Sequence, residues 1–279
     1  MATETLILGA AGWALLAGAL AATGAVAGVL AGLLGVGGGI VIVPVLYHVF
    51  SALGIDEAVR MHLAVGTSLA TIVPTSIRSA AAHRARGSLD PALLKQLLPG
   101  VVVGVAVGAL ASGWLHGRVL TAVFAVVAPV VAAHMALGDR APSFGRGLPG
   151  RAGCAGLGLG IGGLSTLMGI GGGTLSVPLL SSLGVPMRTA VGTGAALGTV
   201  ISIPGATAFV INGWDRAGLP ALSLGHVNLL GVALIVPATL LTTGWGVRAA
   251  HAVNPGTLKR LFALFLALTS ARMLWNLAS

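Results

Sequence analysis

Two glycine clusters are the places where this chain could do chemistry. The first is Leu33-Leu34-Gly35-Val36-Gly37-Gly38-Gly39, followed by Pro44 and Leu46. The second is Leu167-Met168-Gly169-Ile170-Gly171-Gly172-Gly173, followed by Pro178 and Leu180. A run of glycines resists a regular helix, since each costs about 1 kcal/mol against alanine in a helix interior. The pattern predicts a new helix after each break, near Ile40 and near Thr174. The first N–H groups of a helix have no intrahelical partner and carry the positive end of its dipole, which makes a helix start an anion site built of backbone. Gly37, Gly38, Gly39 and Ile40, and Gly171, Gly172, Gly173 and Thr174, are therefore candidate contacts for a small anion. The same glycines would also serve close helix packing, the other common use of small residues in membranes.

Hydroxyls form the next layer. Thr67, Ser68 and Thr193 lie on flanking segments, and Ser165, Thr166, Thr174 and Ser176 lie near the second break. A neutral hydroxyl can donate to an oxyanion without bringing a full charge into an apolar setting. Thr67 and Thr193 rank first because they sit at matched positions in two similar stretches. None of Glu4, Asp56, Glu57, Asp90, Asp139 and Asp215 falls within an apolar run, so no buried carboxylate is on offer to relay protons or bind sodium. His48, His134 and His226 do fall in apolar runs and are the candidates for proton coupling. Pro44, Pro74, Pro178 and Pro204 would kink helices and free carbonyls. No His-Glu-x-x-His, phosphate-binding Lys-Ser/Thr or Ser/His/Asp set is present. Cys154 is the only cysteine, which rules out an internal disulfide or a Cys-x-x-Cys pair. The sequence predicts no enzyme, no metal site and no cofactor.

The elements that must position these residues are membrane helices. Of the 279 residues, 56% are hydrophobic and 8% charged, where a soluble domain carries about 25% charge. Apolar runs fall at 6–33, 40–53, 62–82, 93–115 and 119–137, then at 153–168, 174–184, 189–211, 221–246 and 257–277. Most approach the roughly 20 residues that cross a bilayer as helix; 40–53 and 174–184 are short and read as partial or tilted crossings. No Lys or Arg precedes Arg60, and the first run outlasts a secretory h-region. The whole chain reads as membrane domain. The net charge of +9 sits between apolar runs, where cytoplasmic loops carry it; nucleic acid is not an expected partner, and membrane lipid is.

The chain repeats itself. Gly37 and Gly171 are as far apart as Pro44 and Pro178. Met61-His62-Leu63-Ala64-Val65-Gly66-Thr67 matches Met187-Arg188-Thr189-Ala190-Val191-Gly192-Thr193, and Gly113-Trp114 matches Gly244-Trp245 in the same order. The expected organisation is a first membrane repeat over 1–137, a cytoplasmic linker over 138–151 and a second repeat over 152–279. With halves of odd parity, 11 of the 15 Lys and Arg face the cytoplasm and Arg60, Arg118, Arg216 and Arg272 face out. Parallel halves would give 9 against 6. The positive-inside rule favours inversion, a common plan for transporters with a midplane site. The fold class predicted is an all-α polytopic membrane protein of two inverted-topology repeats, with glycine-broken or re-entrant helices and about 8–10 membrane segments.

These residues resemble the TauE/SafE sulfite exporter family. The resemblance rests on Gly35-Val36-Gly37-Gly38-Gly39 with Pro44 and Leu46, on Ala64-Val65-Gly66-Thr67-Ser68, and on their second-half counterparts, and it covers nearly the whole chain. It implies a transporter of sulfite, sulfoacetate or a related organosulfonate in the cytoplasmic membrane of a prokaryote, with a small anionic sulfur compound as partner and room for a homo-oligomer. One departure is Gly194, where comparison with Ser68 leads one to expect serine. Export has a physical rationale, since an anion leaving a negative interior gains about 2.3 kcal/mol per charge per 100 mV. A proton-coupled sulfonate importer and a non-transporting membrane scaffold or assembly protein are the alternatives.

Overall fold

The computed structural model describes residues 10–34, 38–137, 147–249 and 255–278. It is an all-α membrane protein with ten helices among the described residues: α1 (Ala10–Leu34), α2 (Gly39–Ala52), α3 (Glu57–Ala85), α4 (Pro91–Trp114), α5 (Gly117–Leu137), α6 (Arg151–Met168), α7 (Gly172–Ser182), α8 (Met187–Asn212), α9 (Leu229–Ala249) and α10 (Pro255–Ala278). Gly37, and residues 138–146 of the expected linker, lie outside the described set. Local chemistry sets the helix starts. Asp56 accepts from the Ala58 N–H at 2.8 Å ahead of α3, and Asp90 accepts from Ala92 and Leu93 ahead of α4, whose first residue is Pro91.

By length and composition α4, the first 18 residues of α5 and α8 can cross a membrane, and Leu16–Gly32, Gly39–Ala52, Leu229–Trp245 and Ala263–Leu277 are shorter apolar helical stretches. With 14 and 11 residues, α2 and α7 rise only about 21 Å and 16 Å, short of the roughly 30 Å hydrocarbon core. Trp114 and Trp245, at repeat-matched positions, are 85% and 65% exposed, as suits rings at a membrane interface.

Sequence reading missed one element. The run 221–246 looked like a single segment, but 223–228 is a small hairpin of β1 (Ser223–Leu224) and β2 (Val227–Asn228), and α9 begins only at Leu229. Leu222 and Gly225 both have positive φ, at 61° and 55°, and a chain that turns this way cannot be helical. His226 is consequently a hairpin residue rather than a helical one.

Glycine packs the helices in pairs. On α4, Gly100, Gly104 and Gly108 face the α6 backbone at Ala155, Leu159 and Gly163 in turn, so α4 and α6 run parallel. On α1, Gly24 and Gly28 face Ile235 and Thr239 of α9, so these two are parallel as well. Thr239 Oγ1 donates to Gly24 O at 3.0 Å and Thr242 Oγ1 to Ala25 O at 2.9 Å, tying the pair. By contrast α3 and α8 run antiparallel: Leu69 meets Gly205, and Ser76 meets Gly198 and Thr199. Arg118 at the start of α5 donates to Leu277 O at the end of α10 at 2.6 Å, so those two are antiparallel also. The main contacts correspond when the first five helices are exchanged with the last five: α4 on α6 answers α9 on α1, α2 on α3 answers α7 on α8, and α4 on α8 answers α9 on α3.

Two faces follow. One gathers the starts of α3 and α9 and the ends of α4 and α8: Asn228 N–H donates to Thr67, His62 meets Ser112 and Leu115, and Asn212 donates to Ala109 O. The other gathers the end of α3 and the starts of α4, α6 and α8, with Arg84, Arg86, Lys95, Arg151 and Arg188 exposed. Since α1 parallels α9, and α2 leads through 53–56 into the start of α3, the α1–α2 unit enters from and returns to the first face. The start of α2 at Gly39 and Ile40 is buried. It meets the α6–α7 break: a Cβ on Gly39 would lie 2.9 Å from Gly169 O and 3.1 Å from the Ile170 Cα.

Candidate functional site

The first helix start is closed. Gly38 caps α2 with φ 74°, a left-handed conformation that suits glycine. Gly39 and Ile40 are buried, and Ile72 Cδ1 lies 2.6 Å from where a Gly39 Cβ would be. Ser68 Oγ donates to Gly169 O at 2.7 Å, linking α3 to the turn of the second break.

The second helix start borders a pocket. Gly171, Gly172 and Gly173 line it with Thr75, Ser76 and Ser79 of α3, Gly194 and Gly198 of α8, and Thr243 of α9. The first helical bond of α7 runs from Thr174 N–H to Gly171 O at 3.2 Å, so the N–H groups of Gly172 and Gly173 precede the α7 ladder. Gly194 and Gly198 stand where the matched positions of the first half carry Ser68 and Ile72; the missing side chains leave the opening. Ser176 Oγ is buried without a hydrogen-bond partner and lies 2.6 Å from the place a Gly194 Cβ would occupy. The serine absent at Gly194 is thus answered by one on the neighbouring helix. Thr75 and Thr243 donate to carbonyls within their own helices, Thr243 to Thr239 O at 2.6 Å. Ser76 Oγ donates to Val73 O at 3.1 Å and accepts from Thr199.

The lining holds no ionised side chain: its polar groups are backbone and hydroxyls, and Ala31, Ile72 and Ala195 complete it. The open space is about 20 Å³, enough for about one water. An oxyanion needs several times that, so the walls must part to admit one. Sequence reading singled out the three glycines and Ser176 but not Thr75, Ser76, Ser79 or Thr243. The last four come from segments remote in sequence, and only the antiparallel packing of α3 on α8 brings three of them to α7.

The matched threonines sit elsewhere. Thr67 Oγ1 accepts from Asn228 N–H at 2.9 Å, and Thr193 Oγ1 accepts from Asp90 N–H at 3.4 Å. Both threonines are fully buried. Thr174 is fully buried at the start of α7. Of the histidines, His48 lies on α2 edge-on to Tyr47, with Nε2 buried and unpartnered, and His134 is half-buried late in α5. His226 packs against His62, which the sequence did not single out, at 5.0 Å between ring centroids, with Phe209 beside both. Burial first, then the nearby His62 and Arg216, pulls His226 down to about 4.

Comparison with known proteins gives a consistent answer. The family described as sulfite exporter TauE/SafE matches residues 20–273. A "probable membrane transporter protein" of Haemophilus influenzae is 35% identical over 251 residues, covering 90% of this chain and 95% of the relative. Proteins of the same description are 25% identical in Methanocaldococcus jannaschii, over 90% of this chain and 92% of the relative, and 26% identical in Bacillus subtilis (YunE), over 92% and 97%. No solved structure matches significantly.

Proposed function

From the premise that this chain belongs to the TauE/SafE sulfite exporter family and is a membrane transporter, we propose that it carries a small sulfur oxyanion, sulfite, sulfoacetate or a related organosulfonate, outward across the cytoplasmic membrane. The observation that carries this reading is the pocket at the start of α7. Gly172 and Gly173, whose N–H groups precede the α7 ladder, border it with the hydroxyl residues Thr75, Ser76, Ser79 and Thr243, the unpartnered Ser176 hydroxyl lies against the lining residue Gly194, and no lining residue is ionised. Neutral donors at a helix start suit an anion and let it go again, where a buried Lys or Arg would hold it.

The two halves are inverted repeats in this account, supported by the antiparallel packing of the matched helices α3 and α8, and α5 and α10. The face bearing Arg84, Arg86, Lys95, Arg151 and Arg188 is then cytoplasmic, and the pocket lies between the meeting point of the breaks and that face. Gly171, Gly172, Gly173 and Ser176 contact the anion. Gly38, Gly39, Ile40 and Ser68 of the other half form the wall behind it, and Thr67 and Thr193 act through the framework.

Thermal unfolding of purified protein tests the site. Sulfite is expected to raise the midpoint, and a series of sulfate, thiosulfate, sulfoacetate and taurine to rank the substrates; stabilisation by none of them contradicts the reading. Orientation is read separately, by labelling single cysteines at Ser88 and Asn212 in a Cys154→Ser background with an impermeant thiol reagent on intact cells. Only the Asn212 position is expected to react.

A further inference from the structure

The matched residues Gly66-Thr67 and Gly192-Thr193 do the same thing at opposite faces. Gly66 lies against the backbone carbonyl of His226, and Thr67 accepts from Asn228 N–H two residues on. Gly192 lies against the carbonyl of Ser88, and Thr193 accepts from Asp90 N–H, again two residues on. In each case the glycine admits a loop of the opposite half and the threonine holds that loop where its next helix starts: α9 at Leu229 in one case, α4 at Pro91 in the other. A side chain at either glycine would collide with backbone, and each hydroxyl is buried, so these are built contacts between the halves.

They are unequal. The bond to Asn228 is 2.9 Å long between residues that are both buried, and behind it His226 fills the space beside Phe209 and Gly213. The bond to Asp90 is 3.4 Å long and Asp90 is half-buried. The pocket lies on the side of the weaker contact.

We infer that Thr67–Asn228 and Thr193–Asp90 are the outer and inner latches of the transporter, each pinning the loop that closes its own face, with both made in this structure and the outer the tighter. The inference rests on the proposed transport function and adds the residues that alternate access to the site. A transporter with a site between two halves must open one face while the other is closed. A single buried hydrogen bond to a loop backbone is a suitable catch: its loss shifts a two-state equilibrium by about tenfold without unfolding a helix. Packing alone would give the glycines at both faces but would not need a threonine hydroxyl beside each.

The test follows one reporter from both sides. Place a cysteine at the pocket residue Ser79 in a Cys154→Ser background and measure its rate of reaction with an impermeant maleimide in right-side-out and inside-out vesicles. Thr67→Val is expected to raise the rate from outside about tenfold and leave the inside rate the same or lower. Thr193→Val is expected to raise the inside rate only. Thr67→Ser, which keeps the hydroxyl, should behave as the parent; Thr67→Ala repeats the experiment should the valine fail to fold. Rates from both sides unchanged in Thr67→Ala and Thr193→Val overturn the inference. Sulfite stabilisation of the same proteins is measured in parallel. If it persists while accessibility ignores the threonines, only the latches fall; if it is absent from the parent while accessibility responds, the proposed substrate falls and the latches stand.

Discussion

The two helix starts are copies of one motif that have come to different uses. At α2 the left-handed Gly38, the buried Gly39 and the side chains of Ser68 and Ile72 leave a solid wall. At α7 the matched positions Gly194 and Gly198 carry no side chain, and a pocket opens in front of Gly171–Gly173. The same backbone break borders a pocket or a wall according to two residues on the packed helix. A duplicated motif is therefore not evidence of two half-sites.

The largest effect should come from making the second half resemble the first. A Cβ at Gly198 would meet Ser76 Cβ at 3.3 Å and Gly172 N at 3.6 Å, so alanine is tolerable there, but the isoleucine found at the matched position would fill the pocket. Gly198→Ile is expected to abolish stabilisation by sulfite while Gly198→Ala retains part of it. Unchanged sulfite response in Gly198→Ile would erase the distinction between the two starts.

Ser176→Ala comes next. A hydrogen bond to a charged partner is worth about 1.5–3 kcal/mol, so sulfite affinity should fall roughly 10- to 100-fold, read by calorimetry. Because this hydroxyl has no partner in the protein, folding stability should hold. Ser68→Ala should do the reverse: it leaves Gly169 O without its donor, costs about 1–3 kcal/mol of stability and spares the affinity.

The smallest effect concerns the hairpin at 223–228. His226 sits at about 4 in the folded protein against about 6.5 in an exposed chain, so the unfolded chain binds the extra proton first. Its contribution is complete above about pH 6.5 and is lost as pH falls toward 4. Hydrogen exchange over 223–228, corrected for intrinsic rate, should speed up across that window, and His226→Gln should flatten the dependence.

Much of this was legible in the sequence, for physical reasons that also mark the limit. Glycine triplets cannot hide in an apolar chain, and the helices resume at Gly39 and Gly172, within two residues of the positions predicted. Composition and hydropathy likewise mark nearly every helix. The hairpin at 223–228 escaped because Leu222, Leu224 and Val227 keep the run apolar while the turn lies in backbone angles. The threonines were found by their repetition, and the structure adds a loop N–H to each; a hydroxyl that accepts from a loop N–H leaves the same trace in sequence as one that donates to an anion. His62 lies in the repeated stretch 61–67 yet escaped, because its partners Ser112, Leu115, Phe209 and His226 are distant along the chain.

Outward movement of a free anion is the central claim, and flux under an imposed potential tests it most directly. Protein in liposomes loaded with sulfite, with the potential set by potassium and valinomycin, should release sulfite faster when the interior is negative and slower when it is positive, about as expected for charge moving down 2.3 kcal/mol per 100 mV. The response should survive replacement of His48, His134 and His226 one at a time. Efflux that ignores potential and instead follows an imposed pH gradient would contradict the account and favour proton-coupled movement.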